Sequence, residues 1–400
     1  MGEWKITTLS NYIELINGFA FKSKNFMDEQ IDNSLPIIKI KNVANGDVNL
    51  KAVQYHEYDT NLSKYIINDG DILIALTGNH PQALTQVVGQ TSRYKLKDKA
   101  LLNQRVAKIV AKDNLSHDFL YYFLKDEWTY EYLANQSSGS ANQANISKKD
   151  IEDLPISLPS LKEQKAIAEV LSSLDDKIDL LHSQNKTLEE LAQTLFRQWF
   201  VEEEKDDWEE YEIRDFATHK KASIKPAQHK NDNFLHFSLP AFDTNKEPIK
   251  ELGLDIKSNK YQVEPYSILM SKLNPKTPRV WDIYFEPEKN SICSTEFQVV
   301  QPNDKELFPF ISTLLKSDRV TGELAMSASG TSGSHQRVKP EDIFNISFVT
   351  PSIERMKKIS ELLEPNYLKQ MKNQNQIQTL ENMRDTLLPK LMSGEVRVNG

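Results

Sequence analysis

The chain carries a long internal repeat, and this repeat constrains its fold more than any single motif does. Residues 150–200 align with residues 342–392 without a gap. The identical pairs include Asp150 and Asp342, Pro159 and Pro351, Ile167 and Ile359, Leu171 and Leu363, and Leu188 and Leu380. A constant offset held over so long a window indicates that one structural unit is used twice.

Each copy of the repeat has the pattern of a long coiled-coil helix, in which core residues follow one another at alternating steps of four and three. The first seam reads Ile167, Leu171, Leu174, Ile178, Leu181, Asn185, Leu188, Ala192, Leu195 and Trp199. The second seam is polar in its middle and reads Ile359, Leu363, Asn366, Gln370, Asn373, Ile377, Leu380, Arg384, Leu387 and Leu391. The patterns predict two long antiparallel helices, within residues 159–201 and 351–400, that pack on each other as a coiled coil.

The two remaining segments, residues 1–158 and 202–350, each have the pattern of a mixed α/β domain. In the first, residues 35–40, 72–77 and 106–110 are apolar, β-branched runs that predict strands, and residues 119–133 predict one helix. Residues 65–75 resemble residues 261–271, and Trp4 matches Trp208. We therefore expect an α+β (mixed α/β) fold with two globular domains, two long helices and a pseudo-two-fold repeat. Such an axis would bring the C-terminal residues close to Trp4.

Composition narrows the class of protein. Cys293 is the single cysteine, so neither a disulfide framework nor a cysteine-based zinc cluster is expected. The sequence has neither an apolar run of about 18 residues nor a signal-peptide pattern, which favours a cytoplasmic protein without a membrane partner. The formal net charge is −8, but residues 216–279 hold 11 basic and 6 acidic groups. A basic surface on the second domain is therefore possible.

Patterns of catalytic chemistry are largely absent. The sequence has no phosphate-binding GxxxxGK[ST] loop, no HExxH, no GxSxG and no glycine-rich dinucleotide turn, which predicts no catalytic residue, no metal site and no cofactor bound by this chain. Asp282, with Glu286 or Glu288 and Lys289, loosely resembles the carboxylate and lysine cluster of a metal-dependent nuclease. A charged surface turn around Pro287 is the simpler interpretation. A coiled-coil scaffold is another alternative, although it would not require two divergent domains.

Three kinds of loop recur at equivalent positions in both domains and carry groups suited to DNA phosphates and base edges. They are residues 137–145 and 327–337, residues 77–82 and 272–279, and residues 17–24 with the basic stretch 219–230. The candidate DNA-binding residues in the first domain are Lys22, Lys24, Asn79, Ser138, Ser140, Asn142 and Gln143. Those in the second domain are Lys220, Lys221, Lys272, Asn274, Lys276, Arg279, Ser332, Ser334, Gln336 and Arg337.

Three segments give the chain a family resemblance. Residues 158–168, continuing through 174–178 to 195–201, resemble the central conserved region of the specificity subunits of type I restriction-modification systems. Residues 387–395 resemble the C-terminal conserved region of that family, and residues 18–23 resemble its opening segment. The resemblance covers the whole chain in the expected order.

The resemblance implies a function for each part of the chain. Each globular domain would be a target recognition domain that reads half of a bipartite site in double-stranded DNA. The paired helices would hold the two readers apart and bind modification subunits, two in number, which restriction subunits would join. S-adenosylmethionine, ATP and magnesium would be used by those partners. A specificity subunit that serves a methyltransferase without a restriction partner is a closely related alternative. Candidate partner-binding residues are the large apolar groups at the helix ends: Leu195, Phe196, Trp199, Phe200, Leu388, Leu391 and Met392.

Overall fold

A computed structural model describes residues 4–43, 47–78, 88–140, 143–202, 208–244, 246–284, 290–328, 336–350 and 352–398. Before the first long helix, the strands are β1 (Lys5–Thr8), β2 (Ile13–Asn17), β3 (Ser34–Ile38), β4 (Gln54–Glu57), β5 (Ile66–Ile67), β6 (Ile72–Ala75), β7 (Thr77–Gly78), β8 (Thr91–Arg93), β9 (Ala100–Leu102), β10 (Val106–Ala111), β11 (Ser138–Ser140), β12 (Gln143–Asn145) and β13 (Pro155–Leu158). The helices there are α1 (Ile40–Val43), α2 (His117–Lys125), α3 (Glu127–Gln136) and α4 (Lys148–Glu152).

The first long helix, α5 (Leu161–Phe196), ends in a single π-helical turn, Arg197–Glu202. It is followed by strands β14 (Glu209–Glu212), β15 (Ala217–Lys220), β16 (Ser223–Ile224), β17 (Asn233–Phe237), β18 (Ile249–Leu252), β19 (Lys260–Gln262), β20 (Ser267–Ser271), β21 (Val280–Ile283), β22 (Ser291–Ser294), β23 (Phe297–Pro302) and β24 (Ser347–Thr350). The helices of this part are α6 (Ile213–Phe216), α7 (Leu239–Thr244), α8 (Phe308–Lys316), α9 (Asp318–Ser327), α10 (Pro340–Phe344) and the second long helix, α11 (Ile353–Ser393).

Packing divides the chain into two compact units. The first unit contains Met1–Asp179 and Gln378–Gly400, and the second contains Leu180–Ile377. Each unit thus combines one globular segment with part of both long helices. The domain boundaries expected from the sequence (1–158, 159–201, 202–350 and 351–400) follow the order of elements rather than packing, and they stay a prediction.

The sheets of the two units have matching strand orders, as the repeat predicts. The first unit has a four-stranded sheet, β2-β10-β6-β8, and the second has the corresponding sheet β15-β23-β20-β21. A second sheet, β4-β3-β9-β5, corresponds to β18-β17-β22-β19-β16, which gains one edge strand. The pairs β3–β9 and β17–β22 are both parallel. In each unit, the first strand of the globular segment pairs with the strand before the long helix. These two-stranded sheets are β1-β13 and β14-β24.

The predicted helix seams are confirmed, because all twenty seam residues are buried or half-buried. In the first unit, Ile167 near the start of α5 shares a core with Leu391 near the end of α11. In the second unit, Phe196 at the end of α5 shares a core with Met356 near the start of α11. The two helices are therefore antiparallel. Both start in the same way: the hydroxyl of Ser160 or Ser352 accepts a hydrogen bond from the backbone three residues later, which caps an otherwise unpaired amide.

The single helix predicted over residues 119–133 was wrong, since the structure has two helices there. Asp126, between α2 and α3, has an extended backbone with ψ 136°. Ser317 breaks the corresponding pair, α8 and α9, with ψ 151°, and its hydroxyl caps α9 by accepting from the amide of Val320. Helical periodicity continues across both breaks, so the apolar pattern alone does not show them.

The C-terminal end of α11 lies close to Trp4, as the pseudo-two-fold repeat predicts. The guanidinium group of Arg397 lies 5.2 Å from the centre of the Trp4 ring. Gly394, just after α11, has a φ of +76°, the left-handed conformation that commonly ends a helix and that favours glycine. A Cβ atom on Gly394 would lie 3.4 Å from the same indole ring.

Candidate nucleic-acid interface

Strand register in the first unit brings the candidate loops to one end of the four-stranded sheet. Asn17, the last residue of β2, lies opposite Ala107, and Ala75, the last residue of β6, lies opposite Val106. Both strands therefore end where β10 begins. The loop 17–24 leaves from that end, and so does Thr77–Gly78, the described start of the loop 77–82. We call it the loop end of the sheet.

The third candidate loop is held at the loop end by a small three-stranded sheet. Residues 137–145, expected to form an irregular loop, instead form a hairpin of β11 and β12, and β12 pairs with β7. The hydroxyl of Thr77 donates a 2.8 Å hydrogen bond to the side-chain carbonyl of Asn145. Sequence spacing does not reveal this pairing, because the two residues are far apart in the chain.

The second unit repeats this arrangement at equivalent positions. Lys220 ends β15 opposite Val299, and Ser271 ends β20 opposite Phe297, so both strands end at the start of β23. Leu273 forms a bridge with Arg337. The amide of Asn274 also donates to the carbonyl of Gln336 at 3.0 Å. Two divergent segments thus bring the same three loops together.

A backbone contact fixes the start of the first loop in the first unit. A Cβ atom on Gly18 would lie 2.0 Å from the carbonyl oxygen of Asn103, so no other residue fits there without a backbone shift. The amide of Gly18 donates to Val106, and Phe19 bridges to Asn103. The loop is therefore held against the start of β10, and Lys22 and Lys24 beyond it are exposed.

Four of the six candidate cations of the second unit fall into two groups. Lys221 and Lys276 are exposed. In contrast, Arg279 makes a bidentate ion pair with Asp243 at 2.6 and 2.9 Å. The ammonium group of Lys272 donates to the carbonyl of Thr295 at 2.6 Å, and burial lowers its pKa. The exposed pair is better placed to meet phosphates, while the other two stabilise the loop.

The remaining candidates of the second unit include both exposed and internal groups. Lys220, Asn274 and Gln336 are half-buried, and Asn274 adopts a φ of +53°. Arg337 is 60% exposed and pairs with Glu296 at 3.0 Å. Ser332 and Ser334 lie outside the residues that the structure describes.

The candidates of the first unit are only partly described. Ser138 is exposed at the start of the hairpin. The strands contain Ser140 and Gln143, whose side chains the structure does not describe. Asn79 and Asn142 lie outside the described residues. All these DNA-binding assignments stay predictions.

One residue at the loop end of the second unit was not among the candidates. His219 lies in β15, and both of its ring nitrogens are buried without a hydrogen-bond partner among the described residues. Burial, and after it the charges of Lys221 and Lys272, lower the pKa of His219 to about 4. A neutral imidazole therefore lies beside a positively charged surface. Its position directly before the candidate residues Lys220 and Lys221 is the sequence feature that could have identified it.

The predicted partner-binding residues lie largely inside the chain's own cores. Phe196 is 2% exposed and its ring lies 5.3 Å from that of Phe310. Leu391 is 1% exposed. Leu388 and Met392 are buried as well, Leu195 and Trp199 are half-buried, and the side chain of Phe200 is not described. Their docking role stays a prediction, with little exposed area to support it.

Other apolar side chains of the long helices are exposed. They include Leu180 and Leu191 on α5 and Leu362, Leu368 and Met383 on α11, each at least 39% exposed. The heptad pattern marks only the seam positions, so it gives no signal for these side chains.

The nuclease-like pattern around Asp282 has an internal explanation. One carboxylate oxygen of Asp282 accepts from the hydroxyl of Ser312 and the other from the ammonium of Lys316, both at 2.6 Å. Glu286, Glu288 and Lys289 lie outside the described residues. Within the described part of the chain, no group of three acidic, histidine or cysteine residues could hold a metal ion. Among the described helices, none combines the length and the apolar character that a membrane-spanning helix needs.

Comparisons with known proteins agree with this architecture. The sequence profile of the type I restriction modification DNA specificity domain matches residues 1–190 and 205–382. The specificity subunit of the type I restriction enzyme MjaIX from Methanocaldococcus jannaschii is 26% identical over 406 residues, covering 92% of this chain and 91% of that protein. The specificity subunit of the Escherichia coli enzyme EcoBI is 28% identical over 48% of this chain and 36% of that protein.

A solved structure has the same fold. The crystal structure of a type I restriction-modification system S subunit from M. genitalium aligns with a TM-score of 0.57 at 15% identity, covering 97% of this chain and 96% of that one. The family profile spans most of both repeats and most of each long helix. This chain therefore belongs to the family of type I restriction-modification DNA specificity proteins.

Proposed function

We propose that the loop end of each unit reads one half of a bipartite DNA sequence. The observation that carries this proposal is the recurrence of the same three loops, at the same end of the same sheet, in two segments whose sequences have diverged. A shared scaffold with different loop residues suits two readers of different half-sites, because loops can vary without disturbing the sheet. The exposed lysines position the duplex through its phosphates, and the amides and hydroxyls of the loops contact base edges.

The exposed lysines give a direct test. In the complex with its modification subunits, Lys22→Ala/Lys24→Ala and Lys221→Ala/Lys276→Ala should each weaken DNA binding. Each double variant should also reduce the salt-dependence slope by about one to two units, since each phosphate contact contributes about 0.9. Lys112 and Lys305 are exposed after β10 and β23, at the opposite end of each sheet, and provide the matched control Lys112→Ala/Lys305→Ala. Equal slopes in all three variants would refute the proposed surface.

The long helices are proposed to bind modification subunits, two per chain, which restriction subunits join. The exposed leucines of α5 and α11 support this, because isolated apolar side chains outside a filled seam can add to a partner interface. Leu180→Glu/Leu191→Glu should reduce co-purification of modification subunits while leaving the helix content of the free chain unchanged. Full co-purification would assign docking to another surface.

The chain itself is proposed to carry out no chemistry and to act on DNA in the cytoplasm. S-adenosylmethionine, ATP and magnesium would then belong to its partners. The engagement of Asp282 by Lys316 supports this, because a carboxylate already paired with an internal cation is poorly suited to hold a metal ion. Cleavage of DNA by the purified chain with magnesium alone would contradict it.

A further inference from the structure

A pair of asparagines meets in the seam between α5 and α11 within the second unit. Asn373 is 1% exposed, and its amide nitrogen donates a 2.8 Å hydrogen bond to the side-chain oxygen of Asn185. A longer hydrogen bond of 3.4 Å reaches Gln184. The Asn185 oxygen therefore accepts from a buried amide nitrogen, while the side-chain oxygen of Asn373 is buried without a hydrogen-bond partner among the described residues.

The repeat shows that the two asparagines occupy different positions of the duplicated helix. The offset that aligns residue 150 with residue 342 also aligns Leu181 with Asn373 and Asn185 with Ile377. Leu181 and Ile377 are 1% and 0% exposed, one helical turn from the asparagines and on the same face. The first helix thus reads Leu-x-x-x-Asn where the second reads Asn-x-x-x-Ile.

This difference matters because the helices are antiparallel. Leu181 lies one turn before Asn185 on α5, and Ile377 lies one turn after Asn373 on α11. In an antiparallel pair these two positions face each other, so Leu181 meets Ile377. If α5 packed in the same register on α5 of a second copy, Asn185 would instead face Leu181. If α11 packed on a second α11, Asn373 would face Ile377. In both cases a buried amide loses its partner, which is costly.

The rest of the α5 seam would favour such self-association. Of its ten seam residues, the nine other than Asn185 are all apolar. The α11 seam differs more from it, since Asn366, Gln370 and Arg384 stand where α5 has Leu174, Ile178 and Ala192. In coiled coils, a single polar residue in the core seam is known to fix the partner helix and the register.

We propose that Asn185 and Asn373 select the pairing of α5 with α11 and disfavour pairing of either helix with the same helix of a second copy. The pair thus disfavours dimers in which α5 packs on α5, or α11 on α11, of a second copy. This proposal is independent of DNA binding. It depends only on the placement of two amides at inequivalent positions of the duplicated helix.

The test uses the full-length chain and replaces each asparagine by its repeat equivalent. Wild type, Asn185→Ile, Asn373→Leu and the double variant are unfolded in urea and refolded at a series of protein concentrations. Sedimentation equilibrium then gives the dimer dissociation constant, and thermal unfolding gives the Tm. Asn382→Leu, at an exposed position of α11 outside the seam, is the matched control.

Each single variant should lower the Tm by about 2–4 °C, because one amide remains without its partner. The double variant should recover the wild-type Tm or exceed it, and it should dimerise at least tenfold more tightly than wild type. The control should match wild type in both measurements. If the double variant dimerises no more tightly than wild type, or if the single variants are as stable as the double variant, the proposal is overturned.

Discussion

Lys125 and Lys316 occupy equivalent positions, each at the last residue of the helix that follows the four-stranded sheet, but their environments are opposite. Lys316 pairs with Asp282 at 2.6 Å and with Glu189 of α5 at 3.0 Å. Burial acts against its charge, but these carboxylates outweigh burial and raise its pKa. Lys125 has no carboxylate within ion-pair distance among the described residues, and burial lowers its pKa.

The neighbouring contact between helix and domain shows the same divergence. In the first unit, the hydroxyl of Tyr122 on α2 donates to Asp175 of α5 at 2.9 Å. In the second unit, the equivalent position on α8 is Thr313, whose hydroxyl lies 3.0 Å from that of Tyr367 on α11. The large residue is on the domain in one unit and on the helix in the other.

These junctions show that duplication preserved the backbone while the side chains changed in matched pairs. Asp175 also accepts from Arg384 at 3.1 Å, so the first unit satisfies its helix carboxylate within the helix pair. The second unit satisfies Glu189 of α5 with a lysine from the domain. Each domain is thus matched to its own helix surface, and an exchange of domains must carry these residues with it.

The largest effect expected from this comparison is on the two lysines. Lys316→Met should destabilise the protein by about 3–5 kcal/mol, because Asp282 and Glu189 would lose their cation in a largely buried site. Lys125→Met should change stability by no more than about 1 kcal/mol, since burial already penalises its charge. Guanidinium unfolding, with hydrogen exchange on α8 and α2, measures both. Comparable losses in the two variants would mean that the junctions are energetically alike.

A smaller effect is expected from exchange of the paired residues. Asp175→Tyr alone should crowd Tyr122, remove one carboxylate partner of Arg384 and cost about 1–3 kcal/mol. Tyr122→Thr/Asp175→Tyr copies the pair of the second unit into the first and should recover about 1–2 kcal/mol of that loss, because the two residues are in contact. A double-mutant cycle by urea unfolding gives the coupling energy. Additive losses would show that the pair is not matched.

The sequence predicted those features that depend on period and offset. The twenty seam positions, the matching domains and the three recurring loops all follow from spacing within the chain. The internal roles of Arg279 and Lys272 could not be predicted. Their partners, Asp243 and Thr295, are distant in sequence and become neighbours only when the strands pair. The burial of Phe196 was missed for a similar reason: an apolar helix end has the same pattern whether it packs on Phe310 or on a partner.

The hairpin and the helix breaks were missed for local reasons. Small polar residues in the segment 137–145 are typical of an irregular loop, and only pairing with Thr77–Gly78 makes them strands. Asp126 and Ser317 stop their helices without proline or glycine, so no strong local breaker marks the site. In each case a tertiary contact decides between two structures that the sequence permits.

The smallest expected effect concerns pH and separates the two four-stranded sheets. His219 lies opposite Val300, and the equivalent position in the first unit, opposite Ile109, is Leu15. The pKa of His219 is about 4 in the folded protein against 6.5 as its ordinary value. Between those values the unfolded chain binds a proton that the folded protein does not bind. Stability present above pH 6.5 is therefore lost as the pH falls toward 4.

His219→Leu copies the first unit and should remove this loss, making the fall in unfolding free energy between pH 7 and pH 4 shallower by about 1–2 kcal/mol after allowance for partial exposure. The reciprocal variant Leu15→His should add a similar acid sensitivity to the first unit, because Leu15 is 7% exposed. Urea unfolding at a series of pH values gives both slopes. An unchanged profile in His219→Leu would show that the folded protein protonates His219 as readily as the unfolded chain does, and that the buried ring nitrogens and nearby lysines do not control its charge.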